Sequence, residues 1–269
     1  MSKANSIVLI KLGGSLITNK SKPFSERLDV IADLVGQIKK AWEENGRSMV
    51  IGHGGGSYPH VPAEKYKTIE GKINGQSVYG AAVVEDAAAQ LNRIVVSEFL
   101  KQKLPAVSLH PSSFMTVKGK KVEAFFSNAF EEMLKLKMIP VLYGDVVFDS
   151  KKGFTIWSTE QLLNLLAKTF VKKGKKVEKI IHCGETDGFL INGRVLPEIT
   201  GENIDKVREN VSTTEGFDVT GGMLHKVDEA LTTASGGIDS YIVGGNHGGN
   251  LYRTIVDGNF LGTKITSNK

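Results

Sequence analysis

The sequence predicts an α/β protein with a mainly parallel, helix-covered sheet. Three observations carry this expectation. Short apolar runs alternate along the chain with longer stretches whose apolar residues recur at helical spacing. Glycine clusters stand directly after several of the short runs, where a strand has to turn into the next element. The chain has 269 residues, 41% of them hydrophobic, which is enough apolar side chain for a sizeable core.

The elements follow in order. Ile7–Leu12 reads as a buried strand closed by Gly13-Gly14-Ser15. From Ser25 to Asn45, Leu28, Ile31, Leu34, Val35, Ile38, Ala41 and Trp42 keep helical spacing, with Ser25 as N-cap and Gly46 as the stop. Met49–Ile51 is the next strand and runs into Gly52–His60, GHGGGSYPH. Ser77–Lys103 is a long helix rich in Ala and Val. Ala106–Leu109 and Ile139–Tyr143 are strands, with a Lys-Gly hairpin between them around Gly119. Ser158–Lys173 is a helix and Val177–Ile181 a strand. Asn192-Gly193 marks a hairpin within Phe189–Val195. Gly222–Ser235 is a helix opening after Asp218-Val219-Thr220-Gly221, and Ile238–Val243 is a late strand. The chain reads as a single domain, 1–269, with a functional division at the Lys-rich turn: residues 1–175 as an acceptor-binding lobe and 176–269 as a nucleotide-binding lobe.

Glycine makes up 30 of the 269 residues, about 11% against a usual share of roughly 7%. There is no G-X-Y period and only 7 prolines, which excludes collagen and Pro/Gly-rich disorder. The single cysteine, Cys183, allows no intramolecular disulfide. No apolar run is long enough to span a membrane, and the N-terminal run is too short for a signal-peptide core, so a cytoplasmic address is expected. Basic residues outnumber acidic ones, 34 to 29, for a net charge of +5. Only six of the basic residues are Arg, the side chain that base edges favour, and the lysine clusters are not interleaved with aromatics. These patterns point away from nucleic acid and toward small anionic ligands.

The chemistry sits in the glycine turns. In open α/β sheets ligands bind beyond the C-terminal ends of the strands. Gly13-Gly14-Ser15 and Gly54-Gly55-Gly56-Ser57 are placed there, where backbone N–H groups without a neighbouring Cβ can meet a phosphate. No G-x-x-x-x-G-K-[ST] or G-x-G-x-x-G motif occurs, no kinase H-R-D loop, and no His pair at zinc spacing. Lysines stand beside the glycines instead. Lys11 precedes Gly13-Gly14, Lys20 follows on the same connection, and Lys226 lies one turn into the helix opened by Gly221-Gly222. Phosphoryl transfer needs positive charge around the phosphate oxygens and in-line positioning, which such a set supplies. His60 closes the second turn as a candidate donor to an acceptor phosphate, while His53 reads as structural.

Taken together, Lys11-Leu12-Gly13-Gly14-Ser15, His53-Gly54-Gly55-Gly56-Ser57-Tyr58-Pro59-His60, Tyr143-Gly144-Asp145, Asp187-Gly188 and Asp218-Val219-Thr220-Gly221-Gly222-Met223 with Lys226 resemble the amino acid kinase superfamily, and within it the isopentenyl phosphate kinases. The resemblance implies a three-layer αβα sandwich with a mainly parallel central sheet. It implies phosphorylation of isopentenyl phosphate to the diphosphate with ATP and Mg²⁺, in a homodimer. By position it implies that Lys11 reaches the ATP phosphates and Lys20 the transferring phosphoryl group. Gly55, His60 and Gly144 would hold the acceptor phosphate. Gly13, Gly14, Ser15, Gly56, Asp187, Gly222 and Lys226 would line the ATP side.

The chain departs from the family pattern at three places. Pro59 stands where Gly is usual, Ser158-Thr159-Glu160 where Ser-Gly-Asp is usual, and Gly184-Glu185 where Thr-Asp is usual. The usual Asp orients the lysines, so Glu160 acts from one methylene further out or not at all. An apolar acceptor tail needs a dry pocket, and the Ser77–Phe99 helix, with Val78, Tyr79, Ala82, Val83 and its neighbours, is its expected wall. Two other readings stay open at this point: a kinase of another small phosphate or phosphonate such as fosfomycin, and a non-catalytic nucleotide-binding regulatory or storage protein.

Overall fold

The structure is a computed structural model and describes residues 6–19, 21–119, 121–212, 227, 230–234 and 236–266. In chain order the strands are β1 (Ser6–Leu12), β2 (Ser48–His53), β3 (Ala106–Ser108), β4 (Met115–Lys118), β5 (Lys121–Phe125), β6 (Ile139–Tyr143), β7 (Asp145–Asp149), β8 (Gly153–Trp157), β9 (Lys176–Gly184), β10 (Leu190–Ile191), β11 (Arg194–Val195), β12 (Glu198–Ile199), β13 (Asp239–Gly244) and β14 (Gly262–Ile265). The helices are α1 (Gly14–Ile17), α2 (Leu28–Asn45), α3 (His60–Lys65), α4 (Ser77–Lys101), α5 (Pro111–Phe114), α6 (Asn128–Lys135), α7 (Thr159–Lys172), α8 (Ile204–Ser212) and α9 (Asn250–Ile255). Lys20, Gly222 and Lys226 lie outside the described residues, as does the 218–223 motif.

Eight strands form one sheet in the order β12-β14-β13-β9-β1-β2-β6-β3. Every pairing in it is parallel except β13 with β14. Strand alternation sorts the core into two layers. Val8, Ile10 and Leu12 of β1 pack with α2, α4 and α9 residues such as Leu34, Leu91 and Leu251. Ile7 and Leu9 face the other way, onto Leu163, Leu166 and Phe170 of α7. This is the expected helix–sheet–helix sandwich, and full burial of each such aliphatic side chain contributes about 1.5–3 kcal/mol.

The β1–β9 register slips between Ile7 and Val8, which pair with Val177 and Lys179. The extra residue, Glu178, meets a buried Arg47, and Lys179 joins the same network through Asp257. Arg47 donates to both carboxylate oxygens of Glu178 at 2.9 and 3.1 Å, to Asp257 at 2.7 Å and to the Ile255 carbonyl at 2.7 Å. The network ties α9 to the base of the sheet, away from the strand C-termini.

Several elements differ from expectation. Helix α2 opens at Leu28 with Arg27 at the N-cap, not Ser25, although Gly46 ends it in the left-handed conformation as predicted. Asn192 and Gly193 both take positive φ and turn β10 into β11. The hairpin at Gly119 forms between β4 and β5. It belongs to a second sheet, β5-β4-β7-β8, absent from the sequence reading. That sheet supplies Trp157 and Ile156 to the site described next.

Candidate active site

Parallel pairing brings the ends of five strands to one edge of the large sheet. Leu12 pairs with His53 and Cys183, His53 with Tyr143, and Gly184 with Gly244. The chain turns from β1 outward through β2, then returns through β9 on the other side, so the switch point lies at β1. The glycine turns therefore converge because the register puts them there.

Gly13-Gly14 and Gly54–Gly56 lie back to back. A Cβ on Gly14 would sit 2.4 Å from the Gly56 nitrogen, and one on Gly54 would sit 2.7 Å from the Gly14 nitrogen. Thr18, not singled out from the sequence, staples the two turns. Its hydroxyl donates to the Gly14 carbonyl at 2.7 Å and accepts from Ser57 N–H at 2.9 Å. Pro59 seats its ring against Gly55, where a Cβ would lie 2.2 Å from Cγ.

A cavity of about 310 Å³ opens at this junction. The structure brings Lys11, Gly14, Ser15, Gly55, Gly56, His60 and Gly144 together on its wall. Gly13 is set back between the strands, its N–H donating to the Cys183 carbonyl at 2.7 Å. Asp187 lies at the ends of β9 and β13, where its carboxylate pairs with His247 at 2.7 Å and leaves no room for a Cβ on Gly244. Of the glycines at this end of β13, without a role in the sequence reading, Gly244 thus packs against Asp187 and Gly245 against Leu16.

Helix α7 aims its N-terminus at the cavity, with Ser158, Thr159 and Glu160 on the wall. Ser158 and Gln161 form a reciprocal capping box. Glu160 bonds directly to the Lys11 ammonium. Burial pushes the Glu160 carboxyl up, but the adjacent Lys11 charge and hydrogen bond outweigh it, and the pKa falls to about 2. Glu160 thus acts from one methylene further out and still pairs with Lys11.

Asp145, next to Gly144, is a wall residue to which sequence reasoning gave no role. It is 1% exposed. Its Oδ1 accepts from Val146 N–H at 2.7 Å, and Oδ2 has no partner among the described residues. Burial pushes its pKa up to about 8, with the Glu85 charge adding to the rise. A carboxyl raised this far favours its protonated form at neutral pH, which would spare an anionic ligand a negative charge nearby.

The apolar wall is Ala63, Val84, Ile156 and Trp157. This corrects the expectation for the long helix. Val78 and Tyr79 are 57% and 67% exposed, Ala82 is exposed and Val83 half-buried, and α4 reaches the cavity wall through the neighbouring Val84. Among the described residues, no group of three or more His, Cys, Asp or Glu is gathered as a metal site. No described helix is long and apolar enough to cross a membrane.

Known proteins resemble this chain along nearly its whole length. The chain is 31% identical to isopentenyl phosphate kinase of Methanocaldococcus jannaschii over 96% of its own length and 98% of that protein. It is 29% identical to isopentenyl phosphate kinase of Methanothermobacter thermautotrophicus, over 97% and 99%. A solved isopentenyl phosphate kinase structure superposes with a TM-score of 0.78 at 26% identity, over 96% of this chain and 100% of that one. Residues 6–244 match the amino acid kinase family, and the chain belongs to that family.

Proposed function

We propose that this chain transfers the γ-phosphoryl group of ATP to isopentenyl phosphate, giving isopentenyl diphosphate and ADP. One observation carries the reading. A single cavity joins a glycine-and-lysine phosphate cradle to a wall of Ala63, Val84, Ile156 and Trp157. The first part suits two phosphates, and the second suits a short branched hydrocarbon tail. The full-length similarity to isopentenyl phosphate kinases supports the same substrate.

In this reading an acceptor-phosphate oxygen attacks the γ-phosphorus in line, and the bond to the β–γ bridging oxygen breaks. Gly55, His60 and Gly144 hold the acceptor phosphate. Lys11 contacts the donor phosphates, with Glu160 fixing its ammonium, and Lys20 meets the transferring group. Gly13, Gly14, Ser15, Gly56, Asp187, Gly222 and Lys226 serve the nucleotide. The two carboxylates on the cavity wall are already engaged or uncharged, since Glu160 is tied to Lys11 and Asp145 is neutral. Mg²⁺ would be held mainly through the nucleotide, and would offset the charge on its phosphates. We place acceptor binding before residue 175 and nucleotide binding after 176, and expect a cytoplasmic homodimer.

³¹P NMR of the protein with Mg-ATP and separate acceptors tests the assignment. A new diphosphate signal with isopentenyl phosphate is the expected result. Product only with fosfomycin or another phosphonate would reassign the acceptor, and ATP binding without any product would remove the catalytic reading.

A further inference from the structure

His53 ends β2 fully buried, its ring stacked on Tyr143 with centroids 5.4 Å apart. Its two ring nitrogens have different partners. Nδ1 faces the Gly54 carbonyl at 3.1 Å, and Nε2 faces the Asn92 amide nitrogen at 3.1 Å. A carbonyl oxygen can only accept, so Nδ1 must carry a proton. Burial drives the imidazole pKa down to about 4, against a smaller upward pull from the Gly54 bond, so the ring is neutral. Nε2 is then a bare acceptor, and Asn92 must offer it an N–H. Ser108 completes the set by donating its hydroxyl to Asn92 Oδ1. Two titratable groups beside Tyr143 are paired with each other. Glu85 of α4 meets His110 at 3.3 Å, and His110 meets the Tyr143 hydroxyl at 2.6 Å.

The Gly54 carbonyl and the Gly55 N–H belong to one planar trans peptide and point in opposite directions. Gripping the carbonyl from the buried side turns the N–H to the cavity side, where Gly55 lies. We propose that His53 is a positioning residue for the phosphate-acceptor reaction: through Nδ1–H it locks the Gly54–Gly55 peptide so that the Gly55 N–H faces the acceptor phosphate, with Asn92 and Ser108 fixing its tautomer. The proposal rests on the acceptor reading of the Gly54–Gly56 turn. It adds that this turn is held from below by a chain reaching α4 and β3. The same His53 carries a second link through its backbone. Its carbonyl accepts from Thr159 Oγ1 at 2.6 Å and from Gly144 N–H at 3.3 Å, so one residue braces three cavity walls.

Two measurements test this. Long-range ¹H–¹⁵N NMR on histidine-labelled protein between pH 5.5 and 8 should show His53 protonated at Nδ1, bare at Nε2 and not titrating. An Nε2–H tautomer, or titration near pH 6.5, overturns the proposal without touching the assignment of activity. Steady-state kinetics on substituted protein supply the second arm. His53→Leu removes the grip and should raise KM for isopentenyl phosphate by about tenfold, the scale of one lost hydrogen bond, with KM for ATP unchanged within about twofold. His53→Asn places an amide N–H where Nδ1 stood and should recover most of that loss. Equal defects in the Leu and Asn variants, or equal losses for both substrates, overturn the positioning role. Absence of turnover in the unaltered enzyme overturns the activity reading, and the NMR arm still judges the His53 bond.

Discussion

Lys11, at the end of β1, and Glu160, in the first turn of α7, form an ion pair that closes one wall of the cavity. Both side chains are mostly buried, at 12% and 13% exposure, so the pair is weakly screened. In the proposed reaction, a carboxylate at this point would keep the ammonium aimed at the donor phosphates. Shortening Glu160 to Asp draws the carboxylate back by one methylene from the contact seen here. Glu160→Asp is therefore expected to lower kcat by several-fold, and Glu160→Gln by about tenfold or more, since an oriented charge matters most in the transition state. Unchanged kcat in both variants would detach Glu160 from catalysis.

His60 opens α3 and lies on the cavity wall with Gly55. A charge-assisted bond from imidazole to a phosphate oxygen is worth more than a neutral one. His60→Ala should reduce kcat/KM for isopentenyl phosphate by about a hundredfold while ATP affinity holds. Near-native kinetics in this variant would remove His60 from the acceptor site.

Lys20 follows Thr18, whose hydroxyl ties the two glycine turns together. Charge on a transferring phosphoryl group is largest in the transition state, so Lys20→Ala should lower kcat more than it raises KM. A change confined to KM, seen in initial-rate measurements with either substrate varied, would reduce Lys20 to a binding role.

The glycine turns and the central strands were legible because their signals are local. Val8, Ile10 and Leu12 alternate with Ile7 and Leu9, and that period alone separates the two core layers. The second sheet was not legible. Its β7–β8 turn is built by the Asp149 carboxylate, which accepts from Gly119, Lys151 and Lys152 N–H groups, instead of by an Asn-Gly dipeptide. Without β8, the position of Trp157 and Ile156 in the pocket was out of reach. The wall of the long helix was misplaced for a related reason. An Ala- and Val-rich stretch repeats too evenly to show which face turns inward, so Val84 could not be told from Val83. The Lys11–Glu160 and His53–Asn92 contacts span 149 and 39 residues of sequence, and no spacing rule joins them.

Asp145 makes a prediction about stability and pH. Its carboxyl is buried with one oxygen unpartnered, and its folded pKa lies near 8 against an ordinary 3.8. Between these values the folded chain keeps a proton that the unfolded chain has released. Stability from this group is whole below about pH 4 and is lost as pH rises through 8, at a limit of about 1.4 kcal/mol per pH unit. Glu160 has the opposite sign. Its folded value near 2 lies below 4.5, so its contribution is present above pH 4.5 and lost as pH falls toward 2. The two windows barely overlap, which lets Asp145 be read alone above pH 5. Asp145→Asn removes the titration but keeps the shape. Its Tm, compared with that of the unaltered protein, should gain steadily from pH 5 to 8 and level off above that. A Tm difference independent of pH would show that Asp145 is charged throughout, and an anion would then stand beside the proposed acceptor phosphate.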